Sequence, residues 1–318
     1  MIDRSEELVT VFGGGGFIGR YVCEFLLKSG VRVRVAQRDP RQAYTIQPLA
    51  QVGQFGAVAA DLGNAASVRL ALHGASAAIN LAGVFGAKMR RVHVEGARNV
   101  AEAARDGGLG AVVQISAIGA SAESESAYGR TKGEGEEAVR EAFPSGTIIR
   151  PSLVFGPDDD LTNRFAAMAR LPILPVIAAN SKFQPVYVRD LAKAIAMAAL
   201  EPERFGGQTF EIGGPQVMSM IDLHRAILEL SGQTPEIMPL PDFVGNAIAY
   251  LGWLPGAPLT RDQWMMLQRG SVASGDKPGL EAFGIRPTPL AAVGYDWLAR
   301  FNRGGKSAGR RIHLTATN

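Results

Sequence analysis

The sequence has few of the features that typify secreted, disulfide-bonded or membrane-spanning proteins. Its 318 residues include one cysteine, Cys23, so an intramolecular disulfide is excluded and a reducing compartment is expected. No run of about 18 uncharged apolar residues occurs, which excludes a hydrophobic spanning helix. The N-terminal residues lack the apolar core of a signal peptide. Together these absences indicate a cytoplasmic protein.

The excess of basic over acidic residues is also small. The formal net charge is +3, the pI is about 9.1, and no block of lysines and arginines occurs in the body of the chain, so a nucleic-acid partner is not expected. The run Asp158–Asp160 follows a proline and is predicted to cap a helix, not to bind a cation. The absence of a G-x-S-x-G motif disfavours a serine hydrolase. No metal site is predicted, because four histidines lack the spacing of metal ligands: His73, His93, His224 and His313.

Apolar strand-like runs alternate with helical patterns through the first half of the chain. Hydrophobic residues make up 47% of the sequence, enough for a substantial core. The predicted strands are Leu8–Phe12 and Val31–Gln37, followed by strands within "AVAADL", "ASAAINLAG", "AVVQISAIGA" and "GTIIRPSLVFG". This order predicts an α/β fold, a Rossmann-type doubly wound parallel sheet with right-handed crossovers.

The composition changes after Gly156, where prolines become frequent. Residues 1–156 are predicted to form the Rossmann core. Residues 157–302 should add to that core and form a smaller C-terminal α/β lobe, and residues 303–318 should form a flexible basic tail. The apolar run "DFVGNAIAYLGWLPG", which contains Trp253, fits either the core of the lobe or a docking face for a membrane surface or a partner subunit.

The stretch "TVFGGGGFIGRYV" places a glycine-rich loop between the first strand and the first helix. Gly13 permits a tight turn, Gly16 lets the backbone approach a pyrophosphate, and Gly19 lets the helix pack close to the sheet. The helix starts with Phe17 and Ile18, so N–H groups at its N-terminus point at the phosphates. Because the loop has the strand–turn–helix context that this motif requires, we predict a dinucleotide site.

The end of the second strand, "AQRDP", bears on which nicotinamide dinucleotide is bound. An NAD(H) site usually places an acidic side chain here for the ribose 2′-hydroxyl, and this chain has Gln37. Arg38 follows, and a guanidinium can pair with a 2′-phosphate. The sequence therefore favours NADP(H) over NAD(H), although Asp39 also lies within reach of the ribose.

The ends of the third and fourth strands supply further candidate residues. Asp61 and Leu62 are placed at the end of the third strand, where Asp61 can accept from an adenine amino group and Leu62 can pack on the ring. The small residues of "NLAG" leave room for the adenosine ribose beside Leu81, Ala82 and Gly83. Open α/β sheets bind ligands at such carboxyl ends of strands.

The stretch "SAYGRTKGEGE" separates Tyr128 and Lys132 by four residues at the start of a helical pattern. Residues at i and i+4 share one face of a helix, and Ser116 is placed at the end of the fifth strand. The pair fits either proton transfer at a bound cofactor or two surface residues on an ordinary helix.

Taken in order, these motifs resemble an extended or atypical short-chain dehydrogenase/reductase. The segment from "ISAIGASAESESAYGRTK" to "LPILPVI", with "FQPVYVRDLAKAI", "LTRDQWMMLQRG" and "GLEAFGIRPTPL", is similar to the nucleotide-binding accessory subunit of respiratory complex I and its bacterial relatives. The resemblance runs from about Val9 to Phe301. The chain departs from the superfamily at Phe12, where threonine usually opens the glycine motif.

The resemblance implies roles for individual residues. In active reductases of this superfamily a serine positions the substrate oxygen, a tyrosine transfers a proton, and a lysine favours the phenolate and holds the nicotinamide ribose. The residues that match these roles are Ser116, Tyr128 and Lys132. The residues that match the nicotinamide side of the site are Pro151, Leu153 and Val154.

Two functions follow from the resemblance. The first is an accessory protein that holds NADP(H) in a structural or regulatory role, at the inner face of the cytoplasmic membrane, with complex I subunits or a membrane surface as partners. The second is an active NAD(P)-dependent oxidoreductase, or a nucleotide-sugar epimerase or dehydratase, that uses Tyr128 and Lys132. The sequence leaves open whether the chain is an enzyme.

Overall fold

A computed structural model describes residues 4–252 and 259–302 of the chain. Trp253 and the predicted basic tail, residues 303–318, lie outside the described residues. The strands are β1 (Leu8–Phe12), β2 (Arg32–Gln37), β3 (Phe55–Ala59), β4 (Ala77–Asn80), β5 (Ala111–Ile115), β6 (Thr147–Pro151), β7 (Val154–Phe155), β8 (Ile173–Val176), β9 (Lys182–Phe183), β10 (Val186–Tyr187), β11 (Thr209–Ile212), β12 (Met218–Ser219) and β13 (Glu236–Pro239). The α-helices are α1 (Phe17–Lys28), α2 (Ala65–Leu72), α3 (Gly96–Asp106), α4 (Ala127–Ala142), α5 (Asp160–Met168), α6 (Val188–Leu200), α7 (Pro202–Phe205), α8 (Met220–Ser231), α9 (Asp242–Tyr250), α10 (Arg261–Arg269), α11 (Leu290–Val293) and α12 (Tyr295–Leu298).

Seven strands form one sheet in the order β11-β6-β5-β4-β1-β2-β3. Every neighbouring pair is parallel. Strand residues such as Val9, Val11 and Ile79 are fully buried, as expected where helices cover both faces of a parallel sheet. The predicted Rossmann-type α/β fold is confirmed. The strand order reverses between β1 and β4, which places the expected ligand crevice at their carboxyl ends.

Local signals in the sequence set the ends of the helices that flank the sheet. Helix α1 ends before Gly30, which has φ +89° and donates its N–H to the carbonyl of Leu27. Helix α2 begins after Asn64, whose side chain accepts from the N–H groups of Ala66 and Ser67. Both ends therefore depend on residues that lie close together in the sequence.

One predicted strand boundary is wrong. Asp61 and Leu62 were expected to end the third strand, but β3 ends at Ala59. The Asp61 carboxylate accepts from the N–H of Gly63 at 3.0 Å, and its own N–H donates to the Ser67 hydroxyl. These bonds turn the chain toward α2, because a short acidic side chain competes with the ladder for backbone donors.

The described residues divide into two compact units. The first contains residues 4–151, Val188–Ile212 and Ala273–Arg286, and it includes the whole seven-stranded sheet. Helix α1 packs against α6 in this unit, and α2, α3 and α4 pack in series. The first segment of this unit ends at Pro151, close to the boundary predicted at Gly156. That boundary, and the roles predicted for the segments after it, stay predictions.

The second unit contains Ser152–Tyr187, Gly213–Val272 without residues 253–258, and residues 287–302. Its core gathers buried side chains from β8, α8 and α12, including Leu174, Leu223 and Trp297. Two-stranded sheets join β7 to β10, β9 to β12 and β8 to β13. Asp159 caps α5 by accepting from the N–H and hydroxyl of Thr162, which confirms the capping role predicted for the acidic run.

Candidate functional site

The glycine loop joins β1 to α1 with a backbone that requires glycine at two positions. Gly13 has φ +76°, in the left-handed region that favours glycine. A Cβ at Gly19 would lie 2.5 Å from the carbonyl oxygens of Gly13 and Gly14. Helix α1 can therefore approach the loop only where no side chain intervenes. These observations agree with the turn and packing roles predicted for the two glycines.

Gly16 is different, because a single atom of the described residues lies near the position that a side chain would take. It has extended backbone angles, φ −77° and ψ −178°, which any residue can adopt. A Cβ there would meet one atom within 4 Å, the carbonyl oxygen of Gly13 at 3.3 Å. The Arg20 N–H makes the first bond of α1, to the Gly16 carbonyl, so the N–H groups of Phe17 and Ile18 precede that ladder. The loop thus presents open backbone next to a helix N-terminus, as anion binding requires.

Gln37 fastens the glycine loop to the end of β2. Its Oε1 accepts from the N–H of Gly15 at 3.0 Å, and its Nε2 donates to the Asp39 carbonyl at 2.7 Å. An acidic side chain at this position could accept from Gly15 but could not donate. The departure from the NAD(H) pattern at Gln37 therefore has a structural consequence that the sequence did not reveal.

The end of β2 also pairs an acid with a base. The Arg41 guanidinium binds the Asp39 carboxylate through Nε at 2.9 Å and NH2 at 3.0 Å. These bonds lower the pKa of the Asp39 carboxyl. Arg38 is exposed, and within residues 4–252 and 259–302 it makes no hydrogen bond or ion pair. This strand end therefore presents a guanidinium, while its nearest carboxylate is already paired.

The two residues predicted beside an adenine ring lie in different surroundings. The Asp61 carboxylate pairs with the Arg91 guanidinium at 2.7 Å, and both side chains are about half exposed. Leu62 is 9% exposed and belongs to the core beneath α3, where its side chain lies against Gly96. The predicted adenine contacts stay predictions, and Asp61 would share its carboxylate with Arg91.

Lys132 ties α4 to the ends of β4 and β5. Its side chain is buried, and Nζ donates to the carbonyls of Ile115 at 3.0 Å and Ala82 at 3.4 Å. Leu81, Ala82 and Gly83 follow β4 directly, and a Cβ at Gly83 would lie 3.6 Å from Nζ. Burial lowers the pKa of Lys132 to about 8, although the carboxylate of Glu136 acts in the opposite direction.

Tyr128 shares its helix face with Lys132, which confirms the geometry predicted from their spacing. Nζ of Lys132 lies 5.8 Å from the centre of the phenol ring. Phe85 stacks on that ring at 4.7 Å between centres, and His93 meets it edge-on at 5.3 Å. Burial raises the pKa of Tyr128 to about 12. The phenol is therefore protonated at neutral pH, which suits it to donate a proton and not to remove one.

Ser116 follows the last residue of β5, next to the Ile115 carbonyl that binds Lys132. It is 3% exposed, and its hydroxyl makes no hydrogen bond within the described residues. A buried hydroxyl without a partner costs about 1–3 kcal/mol, and a bound water or a ligand is one way to supply that partner. The lone Ser116 hydroxyl and the open backbone at Gly16 both fit a dinucleotide along this sheet edge.

His93 is a residue of the site that the sequence did not single out. It lies in a π-helical turn, Arg91–Glu95, and is 1% exposed. Its Nε2 accepts from the N–H of Val84 at 3.0 Å, so Nδ1 carries the proton and donates to the Thr131 hydroxyl at 2.9 Å. The imidazole thus joins the loop that carries Phe85 to the helix that carries Tyr128. No sequence pattern distinguishes a π-helical turn from ordinary helix, which hid this arrangement.

We predict that His93 makes the protein less stable in mild acid. Burial, together with the charge of Lys132, lowers the pKa of His93 to about 3 from 6.5. The unfolded chain therefore binds a proton below pH 6.5 that the folded chain does not, so stability is lost as the pH falls. From pH 7 to pH 5 this histidine should remove about 1–2 kcal/mol of the free energy of unfolding.

Urea denaturation at the two pH values measures this effect. The variant His93→Gln should show a correspondingly smaller loss between pH 7 and pH 5. His73 is exposed, and His73→Gln is the matched control. This variant should lose as much stability between pH 7 and pH 5 as the unchanged protein. Equal pH dependence in His93→Gln and the unchanged protein would contradict the prediction.

The residues predicted to line the nicotinamide side fall in both units. Pro151 is the last residue of β6 in the first unit. Leu153 and Val154 belong to the second unit, where Val154 begins β7 and pairs with Val186 of β10. Their contact with a dinucleotide stays a prediction.

Comparison with known protein families decides the relationship of the chain. The model of the NAD dependent epimerase/dehydratase family matches residues 9–213, which include the glycine loop, Ser116, Tyr128 and Lys132. The chain belongs to this family. Of the seven strands of the sheet, the matched region contains six completely, and it contains β1 from its second residue, Val9, onward.

The chain is also similar to individual proteins with established names. One is NADH dehydrogenase (ubiquinone) 1 alpha subcomplex subunit 9 of Mus musculus, 33% identical over 305 residues, which cover 93% of this chain and 81% of that protein. Another is a ceramide reductase of Caulobacter vibrioides, 31% identical over 257 residues, which cover 76% of each chain. The resemblance to the complex I subunit is therefore confirmed.

Solved structures of this fold include an NADPH-dependent quinone oxidoreductase of Escherichia coli in complex with NADPH. It superposes with a TM-score of 0.73 at 20% identity, over 89% of this chain and 97% of that one. The UDP-glucose 4-epimerase of Thermus thermophilus, in complex with NAD, gives 0.67 at 21% identity over 92% and 98%. At these identities the likeness supports the fold alone.

The described part of the chain has neither clustered metal ligands nor a membrane-crossing helix. No three histidine, cysteine, aspartate or glutamate side chains gather there as a metal-binding group. None of the helices in residues 4–252 and 259–302 combines the length and the hydropathy needed to cross a bilayer.

Proposed function

We propose that this chain binds NADP(H) along the β1–α1 loop and keeps it as a structural or regulatory ligand of an accessory protein. The observation that carries the proposal is the arrangement after β2, where Arg41 engages Asp39 and leaves Arg38 exposed. The subunit 9 relatives favour a partner assembly such as complex I at the inner face of the cytoplasmic membrane.

The choice of NADP(H) rests on electrostatics at the end of β2. A carboxylate there accepts from a ribose 2′-hydroxyl and repels a 2′-phosphate. Because the Asp39 carboxylate already accepts two bonds from Arg41, it is less available to a ribose. Arg38 can then supply donors to a 2′-phosphate, for which guanidinium geometry is suited.

The surroundings of Tyr128 argue against one kind of turnover, the oxidation of an alcohol. Phe85 and His93 cover the phenol ring, and burial raises the pKa of Tyr128 to about 12. A phenol of that pKa is a poor base at neutral pH. Oxidation of an alcohol, which needs a base at this position, is therefore disfavoured.

The proposal is tested on protein purified from its native source without added nucleotide. Denaturation should release NADPH or NADP⁺ in near-stoichiometric amount, as measured by mass spectrometry. The proteins that co-purify should identify the assembly. Stripped protein should bind NADPH in a fluorescence titration. Absence of nucleotide in the purified protein, together with no binding of NADPH or NADH in titration, would overturn the proposal.

Replacing Arg38 by alanine should weaken NADPH binding about tenfold, since one charged hydrogen-bonding group toward the 2′-phosphate is lost. NADH binding should change less than twofold, because NADH carries no 2′-phosphate. Titration of both dinucleotides with the variant and the unchanged protein measures the ratio. An equal loss for both would show that Arg38 does not read the phosphate.

A reductase is the second candidate, and the buried Ser116 hydroxyl favours it. The hydroxyl has no partner within the described residues and lies beside the strand end that holds Lys132. A bound NADPH would supply the hydride. In such a reaction Ser116 would donate a hydrogen bond to a substrate carbonyl oxygen, and Tyr128, protonated at neutral pH, would donate its proton to that oxygen. The ceramide reductase relative is consistent with this reading.

Turnover separates the two candidates. Stripped protein with NADPH is screened against ketones, aldehydes and keto-lipids by loss of NADPH fluorescence. The accessory role predicts no turnover above buffer and no effect of Tyr128→Phe on NADPH affinity. Oxidation of NADPH that Tyr128→Phe abolishes would establish a reductase and overturn the purely structural role.

A further inference from the structure

Helix α9 of the second unit has one packed face and one apolar face exposed to solvent. On the packed side, Gly245 and Ala249 are buried and the Trp264 ring lies against Gly245. On the other side, Phe243 is 71% exposed and Tyr250 is 80% exposed. The spacing of seven residues places these two rings on a common face.

Two large apolar side chains next to α9 in the sequence are exposed as well. Met238 of β13 is 42% exposed before α9, and Leu251 is 51% exposed after it. We call Met238, Phe243, Tyr250 and Leu251 the α9 face. Residues 237–260 contain one charged side chain, Asp242, so the sequence around the face is almost without charge. Large apolar side chains grouped in this way usually mark an interaction surface.

The packed side of α9 explains why the face is held outward. The Trp264 indole donates to the Asn246 side chain at 2.6 Å, and Trp264 itself is 2% exposed. Helix α10, which carries Trp264, thereby fixes the rotation of α9 about its own axis. The exposure of Phe243 and Tyr250 is therefore a property of a packed helix and not of a loose segment.

The charge of the chain is distributed in a way that bears on the partner. The protein has 33 basic and 30 acidic residues, and residues 303–318 hold four of the basic ones and no acidic one. The remaining 302 residues therefore carry a net charge of −1. The positive excess of the protein lies entirely in its last 16 residues. Such clusters of lysine and arginine are attracted to anionic lipid headgroups.

We infer that the α9 face docks on the surface of an anionic lipid bilayer. The rings of Phe243 and Tyr250 enter the boundary between headgroups and acyl chains, where tyrosine keeps its hydroxyl in the polar layer. The basic C-terminal residues add electrostatic attraction. Apolar burial and basic charge are the two contributions that together give stable peripheral binding.

This inference does not depend on nucleotide binding. The α9 face lies in the second unit, whereas the glycine loop, Lys132 and Tyr128 lie in the first. A failure of either proposal is therefore visible separately when nucleotide titration and membrane binding are measured on the same samples.

The experiment is flotation of the full-length protein with vesicles of phosphatidylcholine, with and without phosphatidylglycerol. The unchanged protein should float with the anionic vesicles and bind the neutral ones more weakly. The double variant Phe243→Ser, Tyr250→Ser should lose at least about tenfold in binding, since two exposed rings no longer enter the interface. The variant Arg310→Gln, Arg311→Gln should lose most of the preference for anionic vesicles while keeping its binding to neutral ones.

The matched control is the double variant Val52→Ser, Leu70→Ser, which removes two other exposed apolar side chains, 107% and 77% exposed, from the first unit. It should float like the unchanged protein, and all variants should keep the same thermal unfolding and NADPH titration. Failure of the unchanged protein to bind anionic vesicles, or equal binding by the α9 variant, would overturn the inference. Conversion of a dimer to a monomer by the α9 variant, without vesicles, would assign the face to self-association and overturn it as well.

Discussion

The variant Gly16→Val should lose dinucleotide binding by at least about a hundredfold, because its side chain would occupy the space that a pyrophosphate needs. The fold should survive the change. Gly16 has extended backbone angles that valine adopts readily, and a Cβ there would meet only the Gly13 carbonyl oxygen, at 3.3 Å. The free energy of unfolding should fall by less than about 1 kcal/mol.

Gly19 provides the contrasting variant. A Cβ at that position would lie 2.5 Å from two carbonyl oxygens of the loop, so Gly19→Ala must displace α1 from the sheet. That variant should lose about 2 kcal/mol or more of stability, an effect of overpacking at a backbone contact. Titration with NADPH and urea denaturation of both variants distinguish the phosphate-facing glycine from the packing glycine. Unchanged NADPH affinity in Gly16→Val would remove the phosphate site from this loop.

The variant Lys132→Met should raise stability at neutral pH while it weakens dinucleotide binding. Burial lowers the pKa of Lys132 from 10.5 to about 8, so keeping the ammonium charged in the folded protein costs about 3 kcal/mol at pH 7. Methionine has a similar shape and no charge. It leaves the carbonyls of Ile115 and Ala82 without their donor, which reduces the expected gain to about 1–2 kcal/mol. A lost charged bond to the ribose should weaken binding by about 1–3 kcal/mol.

The pH dependence of the free energy of unfolding provides a second test of Lys132→Met. In the unchanged protein, the unfolded chain holds the Lys132 proton up to pH 10.5, whereas the folded chain releases it near pH 8. Stability should therefore rise between about pH 8 and pH 10.5 through this residue, and Lys132→Met should lack that rise. Lys193 is exposed on α6, so Lys193→Met is the control for a general effect of methionine. A Lys132→Met variant that is less stable at pH 7 would show that the buried charge carries no net cost.

Two buried groups of the site reduce the stability of the folded protein when no ligand is bound. A buried ammonium without a carboxylate in its first contacts and a buried hydroxyl without a partner both weaken the folded state. A ligand that bonds to these groups would offset that cost, which is why a buried charge at Lys132 and a lone hydroxyl at Ser116 both fit a binding site.

The sequence by itself determined those features that depend on residues close together along the chain. The limits of β1 and α1, the turn at Gly13 and the end of α1 at Gly30 follow from glycine spacing and apolar periodicity, which are local. The common face of Tyr128 and Lys132 follows from the pitch of a helix. The order of strands and helices predicted the parallel sheet, because right-handed crossovers leave few alternatives.

Tertiary structure alone decided the features that join distant segments. The pairing of Gln37 with Gly15, the bonds of His93 to Val84 and Thr131, and the inward packing of Leu62 each depend on which elements become neighbours. The end of β3 was misplaced for a different reason. The turn after it is fixed by local hydrogen bonds of Asp61 to Gly63 and Ser67, which the apolar pattern does not reveal.

The exposed face of α9 shows the same division most clearly. Its sequence is mostly apolar and fits a buried helix as well as an interfacial one. Which side is covered was decided by Trp264, eighteen residues beyond Asn246 in the chain, whose ring occupies the glycine side of the helix. A hydrophobic pattern states that a side chain favours burial, but only the packed structure determines whether the protein itself provides a partner, because burial is a property of the space around a residue.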